Sequence, residues 1–298
     1  KDIDERGMPE VMREAISIAS GPKVEPFHVS FDVDGVDPEH APGVGTAVQG
    51  GLTYREAHLA MELVAESGRM CSVELVEINP ITVLDKLRAG LAERGLTYHA
   101  ATVAQTGKLQ IGVLYKEGIG AHNARLVDGS DLGDPDKRKA LAVDLKIWKF
   151  DFTLIVVHLK SGRSLPNQRI RDEQAKAVFN FIQACRANGR EDIILTGDFN
   201  MIPGQDISNF HHLGGDDVMD FLSSWDLQER FSHILEKGRA NLLDGFAITR
   251  TFSREYVRGS LRLFPMHWSM DIGRENYKDE VSDHLPFVAT FRIDRDRD

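Results

Sequence analysis

The sequence predicts an α/β protein, and two patterns carry that prediction. Apolar, β-branched runs at 27–33 and 72–78 flank a helical segment at 53–67. Strand, helix and strand at this spacing form a βαβ unit with a parallel sheet. Farther along, long strands at 140–147 and 150–158 are separated by two residues, which predicts an antiparallel hairpin. The chain is therefore expected to combine parallel and antiparallel strands.

Charge divides the chain into two units. Nine of its ten net negative charges fall in residues 1–80, so the remainder is nearly neutral. A break of this kind suggests two units of different origin. Because Asn79-Pro80 interrupts the pattern of elements, we place the boundary near residue 82 and expect units at 1–82 and 83–298. The second unit could accept a polyanionic substrate, but it is not basic enough to predict a nucleic-acid partner from charge alone.

The composition indicates a soluble globular protein. Apolar residues make up 42% of the 298, and no apolar run reaches the length of a membrane span, so no membrane partner is expected. Cys71 and Cys185 lie far apart in unrelated contexts, which favours a reducing compartment. With no signal-peptide pattern in view, we expect a cytoplasmic location. The oligomeric state is left open.

The remaining elements follow from periodicity and from helix signals. Thr53 with Glu56 forms a capping box at the start of the 53–67 helix. Helical spacing and apolar runs predict further helices at 10–19, 83–94 and 169–187, and further strands at 110–115, 192–196, 243–248 and 285–291.

The first unit carries paired carboxylates at the end of a strand. Asp32 and Asp34 lie two residues apart, and residues i and i+2 of a strand point the same way, so both can face one cation. A polar strand end explains such a pair about as well. However, the stretch Ser30-Phe31-Asp32-Val33-Asp34 with the following Pro38, Pro42-Gly43 and Gly51 resembles the ureohydrolase signature, and Val76-Glu77-Ile78-Asn79-Pro80 resembles arginase.

This resemblance covers about residues 1–80 and implies a partial ureohydrolase βαβ segment. It implies that Asp32 and Asp34 are Mn²⁺ ligands and that Glu77 faces the substrate guanidinium. The family draws its other ligands from an earlier His and an Asp-x-His-x-Asp segment, which this sequence does not contain. We therefore expect the first unit not to form a catalytic binuclear manganese site.

The second unit contains three short polar motifs, each beside a predicted strand. They are Val157-His158-Leu159-Lys160-Ser161-Gly162, Thr196-Gly197-Asp198-Phe199-Asn200 and Ser282-Asp283-His284. Singly, each is explained equally well by a turn or a structural histidine. In this order they resemble the endonuclease/exonuclease/phosphatase superfamily. The resemblance spans about 83–298 and implies an incomplete deoxyribonuclease I-like four-layer α/β sandwich that hydrolyses phosphoesters with Mg²⁺.

The resemblance also implies roles for individual side chains. His284 would be the general base, held in its tautomer by Asp244. Asp198 would orient or deprotonate the attacking water, and Asn200 would contact the phosphate. His158 would hydrogen-bond the phosphate or the leaving group.

The metal ligands of the second unit are less complete in the sequence. Asp283 would assist the metal, but the family's opening strands, with their Asn and Gln-Glu, are not found before Val83. Glu77 occupies a similar position, at the end of an apolar strand ahead of a helix, without the preceding Gln. Either Glu77 replaces the family's glutamate as the Mg²⁺ ligand, or the metal site is incomplete. We favour the incomplete site.

Basic residues follow His158. Lys160, Arg163, Arg169 and Arg171 are interpreted either as phosphate contacts or as a solvated loop and helix start.

The expected function is thus metal-dependent phosphodiester hydrolysis, impaired by the missing opening motifs. The expected partner is a phosphoester, with nucleic acid, phospholipid and small phosphoesters all left open. The alternatives are an arginase-like guanidino hydrolase and a non-catalytic chain, and the two resemblances together predict a fusion.

Overall fold

A computed structural model shows a sandwich of two sheets with helices on its outer faces. It describes residues 6, 8–20, 27–32, 70–78, 82–107, 109–134, 136–215, 217–222, 232–234, 240–250, 254–263, 277–278, 283–294 and 296. The helices are α1 (Met8–Ser20), α2 (Thr82–Ala92), α3 (Leu165–Ala187) and α4 (Ile207–His212). The strands are β1 (Phe27–Asp32), β2 (Met70–Ile78), β3 (Tyr98–Thr102), β4 (Gln110–Lys116), β5 (Gly120–Leu126), β6 (Leu141–Ile147), β7 (Phe150–His158), β8 (Ile193–Asp198), β9 (Met219–Phe221), β10 (His233–Ile234), β11 (Ala240–Asn241), β12 (Asp244–Thr249), β13 (Arg262–Leu263) and β14 (Phe287–Val288).

The first sheet joins the two units predicted from sequence. Its strand order is β1-β2-β4-β3, with β1 parallel to β2 and β2 antiparallel to β4. Leu75 of β2 is fully buried and lies opposite Gly112 of β4, where the side chain of Leu84 from α2 covers the glycine. The strand that resembles arginase therefore pairs along the edge of β4, which would otherwise be open.

The second sheet holds six strands in the order β5-β6-β7-β8-β12-β9. The predicted hairpin is present as β6 and β7, and its two-residue turn has Trp148 at a positive φ of 55°. Positive φ is what the favoured two-residue hairpin turns require. β7 then pairs in parallel with β8, and β8 pairs antiparallel with β12, so the sheet is mixed as expected.

Alternating side chains of β7 separate the two sides of this sheet. Leu154 and Val156 join the hydrophobic cluster between the sheets, whereas Ile155 and Val157 pack with Val178 of α3 on the outer face. The layers are therefore helix, sheet, sheet and helix. Among the described residues, no helix is both long and apolar enough to cross a membrane.

Several element boundaries differ from those predicted. α3 begins at Leu165 rather than 169, because the Ser164 side chain caps the helix by accepting from Asn167 N. β5 was not predicted, since most of its residues are exposed and lack an apolar alternation. The strand expected at 285–291 is reduced to β14. Asp34 and the helix expected at 53–67 lie outside the described residues.

Gly197 should be indispensable to the end of β8. Its φ is +120°, and a Cβ there would lie 2.1 Å from the carbonyl oxygen of Val157 on β7. We expect Gly197→Ala to lower the free energy of unfolding by about 3 kcal/mol or more. Gly189→Ala is the control, because Gly189 has a φ of +77° with open space around it and should cost only about 1 kcal/mol. Urea unfolding measures both, and equal losses would contradict this account of the strand.

Candidate active site

Three neighbouring strands bring predicted site residues into one row. His158 at the end of β7 pairs in register with Asp198 at the end of β8, and Asp198 pairs in register with Asp244 at the start of β12. Val156, two residues before His158 on β7, and Phe246, two residues after Asp244 on β12, belong to the hydrophobic cluster between the sheets. Because side chains alternate along a strand, the row faces the space between the sheets.

Asp198 is held by the turn that follows it. Its Oδ1 accepts from Asn200 N at 2.7 Å, and its Oδ2 accepts from Asn200 Nδ2 at 2.6 Å. Asn200 also donates to the carbonyl oxygen of Leu159 at 3.1 Å and adopts a φ of 52°, which Asn tolerates better than most residues. The motif thus fixes the Asp198 carboxylate, which is 5% exposed.

His284 and Asp244 form a close dyad. The Nδ1 of His284 lies 2.7 Å from Asp244 Oδ2. A carboxylate can only accept, so Nδ1 carries a proton, and in the neutral form of the ring Nε2 carries the lone pair. Ser232 holds the start of β12, since its Oγ accepts from the backbone N–H of Asp244.

The surrounding charge favours protonated His284. Burial acts to lower the pKa of His284, but the charge and hydrogen bond of Asp244, followed by the charges of Asp198 and Asp283, outweigh burial and hold the pKa well above its usual value.

His158 has the opposite electrostatic character. Its Nε2 lies 3.5 Å from Asp198 Oδ2, and its side chain is buried. Burial, with the positive charges of Arg138 and His284, lowers the pKa of His158 well below its usual value. The site therefore contains one neutral imidazole and one strongly basic imidazole.

Asp283 lies beside a histidine that the sequence did not single out. His233 on β10 is bridged to His284 by antiparallel pairing, and its Nε2 lies 3.4 Å from Asp283 Oδ2. Burial acts to raise the pKa of Asp283, but the hydrogen bond of His233 and the charges of His284 and His233 outweigh burial and hold the pKa below its usual value. Asp283 is therefore ionised at neutral pH.

The donor atoms are suited to a divalent cation. Among the described residues, ligand atoms of Asp198, Asp244 and His284 lie within 4.8 Å of one another, and so do those of His233, Asp283 and His284. Carboxylate oxygens are the ligands that Mg²⁺ prefers. The residues present could thus hold a divalent cation, through a set of side chains that differs from the Asp283 and Glu77 ligands expected from sequence.

The basic residues after His158 do not form a single patch. Arg171 is 1% exposed and donates to the carbonyl oxygens of Lys160 and Gly162, so it is a structural part of this loop. Arg163 is exposed and donates to Asn241 Oδ1, and Arg169 is exposed on α3. Lys160, Arg163 and Arg169 remain predicted substrate contacts.

Two acidic residues of the first unit belong to strands of the first sheet. Asp32 ends β1 and pairs in register with Val76, so Glu77 follows one position later on β2. Across the sandwich, β1 approaches β14 and β2 approaches β8. The backbone therefore places Glu77 on a strand that approaches β8, which carries Asp198, and Asp32 on a strand that approaches β14, while Asp34 lies outside the described residues.

Sequence comparison identifies the relatives of the first unit. A sequence model of the arginase family matches residues 1–100. The chain is 46% identical over 91 residues to arginase of Brevibacillus brevis, which is 30% of this chain and 30% of that protein. It is 52% identical over 80 residues to arginase of Bacillus caldovelox, covering 27% and 26% of the two chains. The chain thus spans less than a third of the length of these arginases.

Structural comparison identifies a different relationship for the fold. Humanized zebrafish (D. rerio) TDP2 matches with a TM-score of 0.63 and 16% identity, over 90% of this chain and 98% of that one. The endonuclease/exonuclease/phosphatase from Bacteroides vulgatus matches with a TM-score of 0.59 and 13% identity, over 89% and 97%. Both expected resemblances are confirmed: the N-terminal part is similar to arginase, and the fold is that of endonuclease/exonuclease/phosphatase proteins.

The electrostatics of the dyad can be tested without a substrate. Asp244 is the largest influence that raises the pKa of His284, so Asp244→Asn should lower that pKa. Proton NMR titration of the His284 ring in metal-free protein measures the shift. Asp220→Asn is the control, because this exposed acid is on the neighbouring strand β9, which pairs with β12. An unchanged His284 pKa in Asp244→Asn would contradict the dyad.

Proposed function

We propose that this protein hydrolyses phosphodiesters with the help of a divalent metal ion. The observation that carries the proposal is the His284–Asp244 dyad at 2.7 Å, placed beside the in-register row of His158, Asp198 and Asp244. A base held in one tautomer, a buried carboxylate and a neutral imidazole are what an activated water and a phosphate require.

His284 is the general base in this proposal. Asp244 holds the Nδ1 proton, so Nε2 is the atom that accepts a proton from the attacking water. Asp198 orients that water through a carboxylate that Asn200 keeps in place. The role of Asp244 is to keep the ring in the productive tautomer and to stabilise the imidazolium that forms.

The phosphate is bound by neutral and cationic donors. His158, kept neutral by burial, can donate one hydrogen bond to a phosphate or leaving-group oxygen. Asn200 is the second proposed donor, and its amide would have to exchange its bond to Asp198 or to the Leu159 carbonyl for one to the phosphate. Lys160, Arg163 and Arg169 lie on the loop and helix that follow β7, where their positive charge favours a polyanionic substrate.

Mg²⁺ is the cofactor that the carboxylates favour. Asp283, ionised and 15% exposed at its side chain, is a proposed ligand, and Glu77 of β2 is the proposed replacement for the family's usual glutamate. When bound, Mg²⁺ would polarise the phosphate and offset part of the negative charge that keeps His284 protonated.

Nucleic acid is the first substrate to test. One structural neighbour is zebrafish TDP2 complexed with a single-strand DNA product, with a TM-score of 0.62 at 15% identity. At this identity the likeness supports the fold, so single-stranded DNA enters the proposal as a candidate substrate, beside small phosphodiesters.

Arginase activity is the alternative, and the structure favours a different role for that segment. β2 is central to the first sheet, with β1 on one side and β4 on the other. We propose that the arginase-like segment serves the phosphodiesterase sandwich as its opening strands and does not hydrolyse arginine.

The proposal is tested by assaying cleavage of bis(p-nitrophenyl) phosphate and of a single-stranded DNA oligonucleotide, with and without Mg²⁺. His284→Ala should lower kcat by about 10²-fold to 10⁴-fold, because it removes the general base. Glu77→Ala should raise the Mg²⁺ concentration needed for half-maximal activity. Glu74→Ala, three residues earlier on β2, is the matched control.

The outcomes separate the two parts of the proposal. Activity lost in His284→Ala and untouched in Glu77→Ala would refute the role of Glu77 and leave the dyad standing. Activity that survives His284→Ala would refute both, and urea release from arginine with tightly bound manganese would favour the alternative.

A further inference from the structure

His233 lies in the site, but it has no role in the proposed hydrolysis. The backbone N–H of Ile234 donates to the carbonyl oxygen of Asp283, and that of Leu285 donates to the carbonyl oxygen of Ser232. These two hydrogen bonds flank His233 and His284, which makes them a non-hydrogen-bonded antiparallel pair with side chains on the same face. Their ring centroids are 4.8 Å apart.

The spacing of the side chains matches a small tetrahedral metal site. Ligand atoms of His233, Asp283 and His284 lie within 4.8 Å of one another, and His233 Nε2 to Asp283 Oδ2 is 3.4 Å. Two ligand atoms bound to one Zn²⁺ at about 2.1 Å in tetrahedral geometry are about 3.4 Å apart. One edge of the site therefore already has the length that Zn²⁺ requires.

The ring orientations also favour a metal. His284 donates from Nδ1 to Asp244, which leaves Nε2 as the ligand atom and forms the carboxylate–histidine arrangement that supports metal-bound imidazoles. The Nδ1 of His233 is buried and has no hydrogen-bond partner among the described residues. No hydrogen bond at Nδ1 therefore prevents the His233 ring from rotating so that Nε2 turns from Asp283 towards an ion.

We propose that His233, Asp283 and His284 bind a transition-metal ion of the Zn²⁺ class and that this ion inhibits the enzyme. Two imidazoles and one carboxylate favour Zn²⁺ over Mg²⁺, which prefers oxygen ligands. The ion would occupy the Nε2 lone pair of His284, which the general base needs, so binding and hydrolysis exclude each other. The inhibitory half rests on the proposed function, whereas the binding half does not.

The binding half is tested on the full chain with Co²⁺ alone, whose visible absorption reports tetrahedral ligation, and with Zn²⁺ displacing it. We expect one tight equivalent per chain in the parent, and His233→Gln should weaken binding by about tenfold or more. His212→Gln is the matched control, because His212 also lies near a carboxylate, with Nε2 3.9 Å from Asp172 Oδ1. Equal binding by the parent and His233→Gln would overturn the site.

Zinc-edge X-ray absorption of the parent provides a measurement that does not depend on any variant. Two imidazole ligands are expected, and fewer than two would overturn the proposal. In the Mg²⁺ assay, Zn²⁺ should inhibit the parent, and His233→Gln should need about tenfold more Zn²⁺ for half-inhibition. Inhibition with the same Zn²⁺ dependence in both would overturn the inhibitory role. A parent that binds Co²⁺ and shows no phosphodiesterase activity would contradict the proposed function and leave the metal site intact.

Discussion

Backbone pairing of β8 with its two neighbours determines where the polar side chains of the site lie. His158, Asp198 and Asp244 are successive partners across β7, β8 and β12, so their positions depend on strand register. A slip of one residue would turn any of these side chains to the helix-covered face of the sheet. Gly197 lets β8 approach β7 at this point, where a larger residue would meet the Val157 carbonyl. The chemistry of the site thus depends on the packing of three strands.

The first sheet depends on strands from the part of the chain that resembles arginase. β2 lies between β1 and β4, and it carries Leu75 and Ile78 into the hydrophobic core with no exposed surface. A structural match covering 90% of the chain cannot come from residues 83–298 alone, because they make up less than three quarters of it. The strands that resemble arginase are therefore part of the sandwich. Burial and hydrogen bonding of β2 explain how they complete a sheet whose opening strands are not found in 83–298.

Short sequence motifs singled out several polar residues of the site. Residues placed there by pairing between distant parts of the chain could not be identified from the sequence. His158 could be found because it ends an apolar strand within an ordered set of motifs, and Asp244 because the resemblance implies a carboxylate beside His284 and Asp244 begins an apolar strand. His233 has no motif around it, and its position follows only from pairing with the segment of His284, some fifty residues away. Arg171 could be read as a phosphate contact or as structural, and only its burial among the carbonyl groups of the loop decides. Sequence identifies side-chain chemistry well, whereas partners distant in the chain require the fold.

The central claim is that one site between the sheets binds the phosphate. A crystal structure of the full chain with Mn²⁺ and inorganic phosphate tests it most directly, since manganese is also the ion of the arginase alternative and can be located by anomalous scattering. We predict phosphate oxygens within about 3 Å of His158 and His284, and a manganese ion bound to Asp198 or Asp283. Phosphate bound away from both histidines, with manganese held only by Asp32 and Asp34, would contradict the account.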